Sequence, residues 1–317
     1  MHYSRNSRLY SQQFSKFRVK ELIAAPFTPF DQDGEVNFSV IEQYADYLAA
    51  TNFTGIFVNG TLGEGISLTL EERKKLTETW FKASKGRLEV IVHVGTNCIK
   101  DSQELSRHAE ETGVTAIAAL SPNYYKPESE EVLVEVMKQI AAAAPKTPFF
   151  YYEINFCTGV YLNARNFMEL AKKEIPTLVG LKNSSRELPD AYEVTRVDCQ
   201  MLIGTDVQYL SCLTLGIPGT VVASYLGNLN SDMRKAFDSG DIKRAREFQD
   251  VASRINTIRN KYGGGINVAK SVFKILTGID LGPVRLPLSQ MLPERYDNMK
   301  KDFIAEGLAD VAKPRES

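Results

Sequence analysis

The chain is short of the residues that build metal and disulfide sites. Its 317 residues include four cysteines and three histidines. Cys98, Cys157, Cys199 and Cys212 form no Cys-x-x-Cys pair and show no disulfide-like spacing. With only His2, His93 and His108 beside them, a zinc cluster would lack ligands. Reduced, unpaired cysteines are the reading that follows. An excess of one charge is lacking too: 38 basic against 39 acidic residues leave a net charge of −1. That balance gives no electrostatic reason to expect nucleic acid or an anionic membrane as a partner. No apolar run approaches the ~18 residues a membrane span needs. No glycine-rich phosphate turn follows the first strand-like run, where Phe27-Thr28-Pro29 stands instead, and Gly263-Gly264-Gly265 reads as a helix break. No acid precedes Glu21, whereas Arg5, Arg8, Lys16, Arg18 and Lys20 do. Residues 1–20 are therefore read as a basic, flexible tail on a cytoplasmic chain, with a mitochondrial import segment as the alternative.

What the sequence does have is 43% hydrophobic residues, in short apolar runs that alternate with helical patterns. Leu22 to Phe30 reads as a strand with a proline-terminated exit. Helical spacing follows over 39–50, a strand over 55–60, and a helix over 69–83 opened by Thr69-Leu70-Glu71-Glu72, which has the form of a capping box. Strands are expected at 88–94, 115–120, 148–152, 178–182, 200–203 and 220–224. Helices are expected at 101–111, 129–144, 164–173, 189–195 and 208–215, and the chain beyond Asn230 is mostly helical. Strand–helix units repeated eight times predict an α/β fold, a (β/α)8 TIM barrel over 21–229 with a helical extension over 230–317 packed on it. A doubly wound sheet is the competitor, and the missing phosphate turn weighs against it.

Barrel enzymes place their chemistry where strands end at the C-terminal face. The sixth strand-like run, Leu178-Val179-Gly180-Leu181, ends in Lys182, followed by Asn183, Ser184 and Ser185. An ammonium on a buried strand is costly to desolvate, so the lysine tends to lose its proton, and a neutral amine attacks ketones. The alternative is a lysine whose stem packs below while its head reaches water. Other strand ends carry Asn59-Gly60-Thr61-Leu62-Gly63-Glu64-Gly65, Tyr124-Tyr125, Tyr151-Tyr152-Glu153 and Gly204-Thr205-Asp206. Taken singly, these are tight turns and core aromatics; on one rim, an amine, phenols and a turn with free N–H groups describe a Schiff-base site.

The Gly-Thr-x-Gly-Glu turn, the strand ending in Tyr152 with Thr158-Gly159 beyond it, and Gly180-Leu181-Lys182 resemble the pyruvate-dependent class I aldolases related to dihydrodipicolinate synthase and N-acetylneuraminate lyase. The resemblance covers Leu22 to about Leu288. Asn59-Gly60-Thr61, Phe150-Tyr151-Tyr152 and Gly282-Pro283-Val284-Arg285-Leu286-Pro287-Leu288 are similar to the animal N-acetylneuraminate lyase branch. It implies cleavage of N-acetylneuraminate to pyruvate and N-acetylmannosamine, with no metal and no organic cofactor. Lys182 would form the imine and Tyr152 would shuttle the proton. Thr61, with the N–H groups of Thr61 and Leu62, would hold the carboxylate. Tyr124 would enter a neighbouring subunit's site, which implies a homotetramer of paired dimers. Gly204, Asp206 and Ser184 would meet the sugar. Four positions depart from the family, and a fifth bears on the branch. Cys157 stands where dihydrodipicolinate synthases carry an arginine that binds substrate carboxylate, which argues against that activity. Leu62 replaces a hydroxyl residue, and Asn155 replaces a proline and so loosens a turn. Val207 replaces a sugar-gripping glutamate and Ala223 a serine. These keep two other readings open: a pyruvate-dependent aldolase or hydratase-aldolase for a less polar aldehyde, and a non-catalytic binder of 2-oxo acids.

Overall fold

The computed structural model describes residue 14 and residues 16–315. Over these residues eight parallel strands close on themselves, each paired with the next and the last with the first. They are β1 (Leu22–Ala25), β2 (Gly55–Val58), β3 (Glu89–His93), β4 (Ala116–Leu120), β5 (Phe149–Glu153), β6 (Leu178–Asn183), β7 (Gln200–Ile203) and β8 (Gly219–Ala223). The ring of helices is α1 (Ile41–Ala50), α2 (Leu70–Ser84), α3 (Ile99–Thr112), α4 (Glu130–Ala141), the short α5 (Asn155–Thr158), α6 (Ala164–Glu174), α7 (Leu188–Val194), α8 (Tyr209–Thr214) and α9 (Gly227–Asp238). The expected (β/α)8 barrel is present. Thr69 and Glu72 form the reciprocal capping box at the start of α2, and Ser129 caps α4.

Strand periodicity divides the core in two. Ala24, Ile56, Val58, Val90, Val92, Ile117 and Phe149 face the helices, while Ile23, Phe57, Ile91, Ala118, Phe150 and Leu202 fill the barrel. β6 breaks the alternation. Phe149 pairs with Leu178 but Phe150 pairs with Gly180, so an extra residue sits in β6; Val179 joins the inward cluster and Lys182 lies over its Phe57 and Tyr152 rings, although their numbers differ by an odd count. The bulge is what turns Lys182 into the barrel beside its partner Tyr152. It requires glycine at 180, where a Cβ would overlap the Phe150 ring and the Gln200 carbonyl.

Beyond α9 come α10 (Ile242–Lys261), α11 (Ile266–Thr277) and α12 (Pro293–Ala305). Phe273 of α11 packs on Phe27, Tyr44 and Tyr47, which seats the C-terminal helices on the first strand–helix unit. Three features differ from the sequence reading. The boundary expected between 229 and 230 falls inside α9, the barrel's own eighth helix. The four-residue α5 was too short to leave a periodic signal. The tail is shorter than 1–20: Phe14 and Val19 are buried against the barrel interior, and Val19 exchanges hydrogen bonds with Gln200 at 2.9 and 2.8 Å. The rest of the expected tail, residues 1–13 and 15, lies outside the described residues. No helix among the described residues is long and apolar enough to cross a membrane.

Gly180→Ala is expected to destabilise the fold by about 3 kcal/mol or more, because neither the Phe150 ring nor a backbone carbonyl can yield cheaply. Urea unfolding measures it, and a loss under about 0.5 kcal/mol would mean that the bulge is soft.

Candidate active site

Lys182 is only 4% exposed, at the C-terminal end of β6. Its Nζ lies 3.8 Å from the ring centroids of both Phe57 and Tyr152, and no hydrogen-bonding or ion-pair partner occurs for it among the described residues. Burial alone pulls its pKa down from 10.5 to about 7. The snorkelling alternative does not hold: the amine is buried against two aromatic rings and does not reach water.

The Tyr152 hydroxyl is 2.9 Å from Thr61 Oγ1. Burial raises the phenol to about 12, opposed by the hydrogen bond with Thr61 and by the neighbouring Ser184 hydroxyl. The phenol therefore stays protonated near neutrality and works through a hydroxyl chain. Thr61 and Leu62 stand in the turn after β2, whose backbone is left-handed at Asn59 (φ 59°) and Glu64 (φ 52°). Gly65 permits that path, since a Cβ there would overlap the Asn59 carbonyl. The turn closes by Gly65 N–H donating to Gly60 O at 3.2 Å, and Thr28 Oγ1 donates to Gly63 O at 2.6 Å. Leu62 packs its side chain against both apolar clusters, leaving only its backbone N–H for a ligand.

Behind this turn lies a group that the sequence reading missed. The buried Glu64 carboxylate accepts the Arg285 N–H at 2.9 Å and faces Lys270 Nζ at 3.6 Å. Burial pushes Glu64 up while Lys270 and Arg285 hold it down, and Lys270 is drawn down to about 8 mainly by burial. Arg285 also pairs with Glu72 of α2. Its place in the Gly282–Leu288 run was a visible signal, but the partners are more than 200 residues away.

The other expected residues divide. Ser184 is buried beside Tyr152, and its N–H donates to Glu153 O at 2.9 Å. Gly204 leaves room for the Ser184 hydroxyl, which a Cβ there would displace. Asp206 turns inward, accepting the Ala223 N–H at 3.3 Å; burial raises its carboxyl, opposed by the Arg259 charge. Ala223 thus reaches the site through its backbone. Val207 is 50% exposed at the rim. Tyr124 is not brought to Tyr152 within the chain: it is 76% exposed and packs edge-on against Tyr125. Asn97 Oδ1 holds its loop by accepting the N–H groups of Asn123 and Tyr124 at 2.8 and 3.2 Å. The turn expected to loosen at Asn155 is tied down instead. Asn155 Nδ2 donates to Glu153 Oε1 at 3.2 Å, and Asn183 Nδ2 donates to the other carboxylate oxygen, joining β5, β6 and α5. No cluster of three or more metal-ligating side chains occurs among the described residues.

Between pH values of about 7 and 10.5 the unfolded chain holds a proton that folded Lys182 has lost, so stability rises with pH across that window. Below about 7 the full cost of burying an ammonium applies. Lys182→Met is therefore expected to raise the melting temperature, and by more at about pH 6 than at about pH 9. Calorimetry at the two pH values checks this; equal shifts would show that the amine is not desolvated.

Known proteins resemble the chain over most of its length. The human N-acetylneuraminate lyase is 39% identical over 293 residues, covering 90% of this chain and 92% of the relative, and the Danio rerio N-acetylneuraminate lyase is 41% identical over 283 residues, covering 86% and 92%. The N-acetylneuraminate lyase of Proteus mirabilis superposes with a TM-score of 0.87 at 34% identity, covering 92% of this chain and all of that one. Residues 18–306 match the dihydrodipicolinate synthetase family. The closed parallel barrel is shared with the Proteus mirabilis lyase, and the chain belongs to the dihydrodipicolinate synthetase family.

Proposed function

We propose that the chain is a Schiff-base carbon–carbon lyase that cleaves N-acetylneuraminate to pyruvate and N-acetylmannosamine. The observation that carries this reading is the Lys182 amine, buried with a pKa of about 7 against the ring of a tyrosine whose hydroxyl bonds Thr61. The animal and bacterial relatives named for that reaction supply the substrate.

The steps follow from these groups. The neutral Lys182 amine attacks the C2 ketone, and the carbinolamine hydroxyl takes up a proton and leaves as water, giving a protonated imine. The substrate carboxylate sits on the N–H groups of Thr61 and Leu62. Tyr152 accepts the C4 hydroxyl proton as its own passes along the hydroxyl chain. The C3–C4 bond then breaks, its electrons entering the imine to give an enamine, and the aldehyde leaves. Protonation at C3 and hydrolysis return pyruvate and the free amine. Because Tyr124 is exposed within one chain, we assign it to a neighbouring copy's hydroxyl chain, in a homotetramer working in the cytoplasm.

A second reading draws on Val207 and Ala223, which offer no side-chain hydrogen bond to a sugar tail. On that reading the aldehyde is less polar. The non-catalytic alternative has the free amine against it, since a binder has no need to desolvate one.

Borohydride trapping with pyruvate, followed by peptide mapping, is expected to place one adduct on Lys182 and none in Lys182→Arg; an untrapped wild-type chain would refute the imine. Tyr152→Phe should lower kcat by ~10²–10⁴ while trapping persists. The cleavage kcat/KM should fall about tenfold per pH unit below about 7, where the amine protonates. A panel of pyruvate–aldehyde condensations decides between N-acetylmannosamine and a less polar partner.

A further inference from the structure

His93 closes β3 directly beneath the site and touches none of the groups that would meet substrate through a hydrogen bond. Its ring is completely enclosed. Nδ1 lies 3.0 Å from the Asn59 carbonyl, which can only accept, so Nδ1 carries the proton and donates there, and Arg73 Nη2, 3.4 Å from Nδ1, bonds the His93 carbonyl instead. Nε2 is then the acceptor for the Leu120 N–H at 3.3 Å. The two bonds run to different elements. Asn59 opens the left-handed turn that carries Thr61 and Leu62, and Leu120 ends β4, from which the Tyr124 loop leaves. The ring is also a wall of the amine's chamber: it stands edge-on to Tyr152 at 5.8 Å and stacks on Phe57 at 6.4 Å, the ring that faces Lys182.

The surroundings hold this one arrangement. Arg73, 2% exposed, donates to the His93 carbonyl at 2.5 Å and to the Gly95 carbonyl at 3.1 Å, while Asn59 Nδ2 donates back to the Arg73 carbonyl at 3.2 Å. A Cβ at Gly95 would stand 2.9 Å from His93 Nε2, so glycine keeps the acceptor side open for Leu120. Burial, with the Arg73 and Lys182 charges nearby, holds the imidazole well below its usual range and neutral. A protonated ring would have no lone pair for the Leu120 N–H.

We infer that His93 is a positioning residue: its neutral ring couples the carboxylate-holding turn to the end of β4 and sets the stance of Tyr152 over the amine. The inference rests on the imine reading of the site, and it adds a residue that acts only through others. A hydrogen bond of this kind is worth about one factor of ten in an equilibrium constant, so each link has its own readout.

The test compares the full chain with H93L, H93N and H93Q by two quantities: the pyruvate concentration for half-maximal borohydride trapping, and kcat for cleavage. H93L loses both links, and each quantity is expected to worsen by ~10-fold. The Asn side chain places an amide N–H where Nδ1–H stood. H93N is thus expected to bring half-trapping back to within ~3-fold of wild type while kcat stays low, because the ring beside Tyr152 is gone. Gln places its polar end at the Nε2 position and should not restore half-trapping. The inference is overturned if H93L matches wild type within twofold in both quantities, or if H93N binds pyruvate no better than H93Q, a comparison that stands even where H93L fails to fold. A wild-type adduct with unaffected variants sinks this inference alone; no wild-type adduct sinks the lyase reading and this inference together.

Discussion

Everything at the mouth of this barrel depends on taking one ammonium out of water. A shift from 10.5 to about 7 corresponds to roughly 5 kcal/mol of penalty on the charged form. The faces of Phe57 and Tyr152 oppose it, since a ring attracts a cation by up to about 2 kcal/mol at a desolvated site. Among the described residues no carboxylate pairs with Lys182 to restore the charge, so desolvation is the larger effect and the amine is free to act near neutrality. The same rings that crowd the amine also place the phenol, so desolvation and proton relay come from one piece of packing.

The rest of the molecule maintains that geometry. The bulge in β6 changes which face Lys182 presents, and Gly180 makes the bulge possible beside Phe150. The turn after β2 keeps two strained left-handed residues, each costing of order 1–3 kcal/mol, and is held from three sides. Thr28 binds it from the loop after β1, His93 from β3, and through Glu64 it is held by Lys270 of α11 and by Arg285 in the loop after α11. That last contact gives the helical extension a part in the site, which a division into barrel and appendage conceals. Glu153 does for the β5–β6 rim what a proline would do by covalent geometry, holding Asn155 and Asn183 with one buried carboxylate.

The elements were legible because helical spacing, short apolar runs and caps such as Thr69 and Ser129 are local signals. So was the identity of Lys182, Tyr152 and Thr61 as a set, once three strand ends were read as one rim. The inward aim of Lys182 was not legible, because it depends on a bulge defined only by its neighbour, β5. Long-range partners were equally hidden: nothing near Glu64 announces Lys270 and Arg285, and His93 looks like any strand histidine until Asn59 and Leu120 close on it. Asn155 misled, since the hydrogen bond that replaces the proline's rigidity comes from the side chain two residues earlier. Phe14 and Val19 were absorbed into a tail by their basic neighbours, although both are apolar and belong to the barrel's interior.

The claim beneath all of this is the protonation state of a single nitrogen, and it can be measured without substrate. Trace labelling of the native chain by an amine-selective reagent, followed over pH with the Lys182 peptide quantified against surface lysines, reads the titration directly. A midpoint of about 7 is expected for Lys182. A midpoint near the unperturbed 10.5 would contradict it.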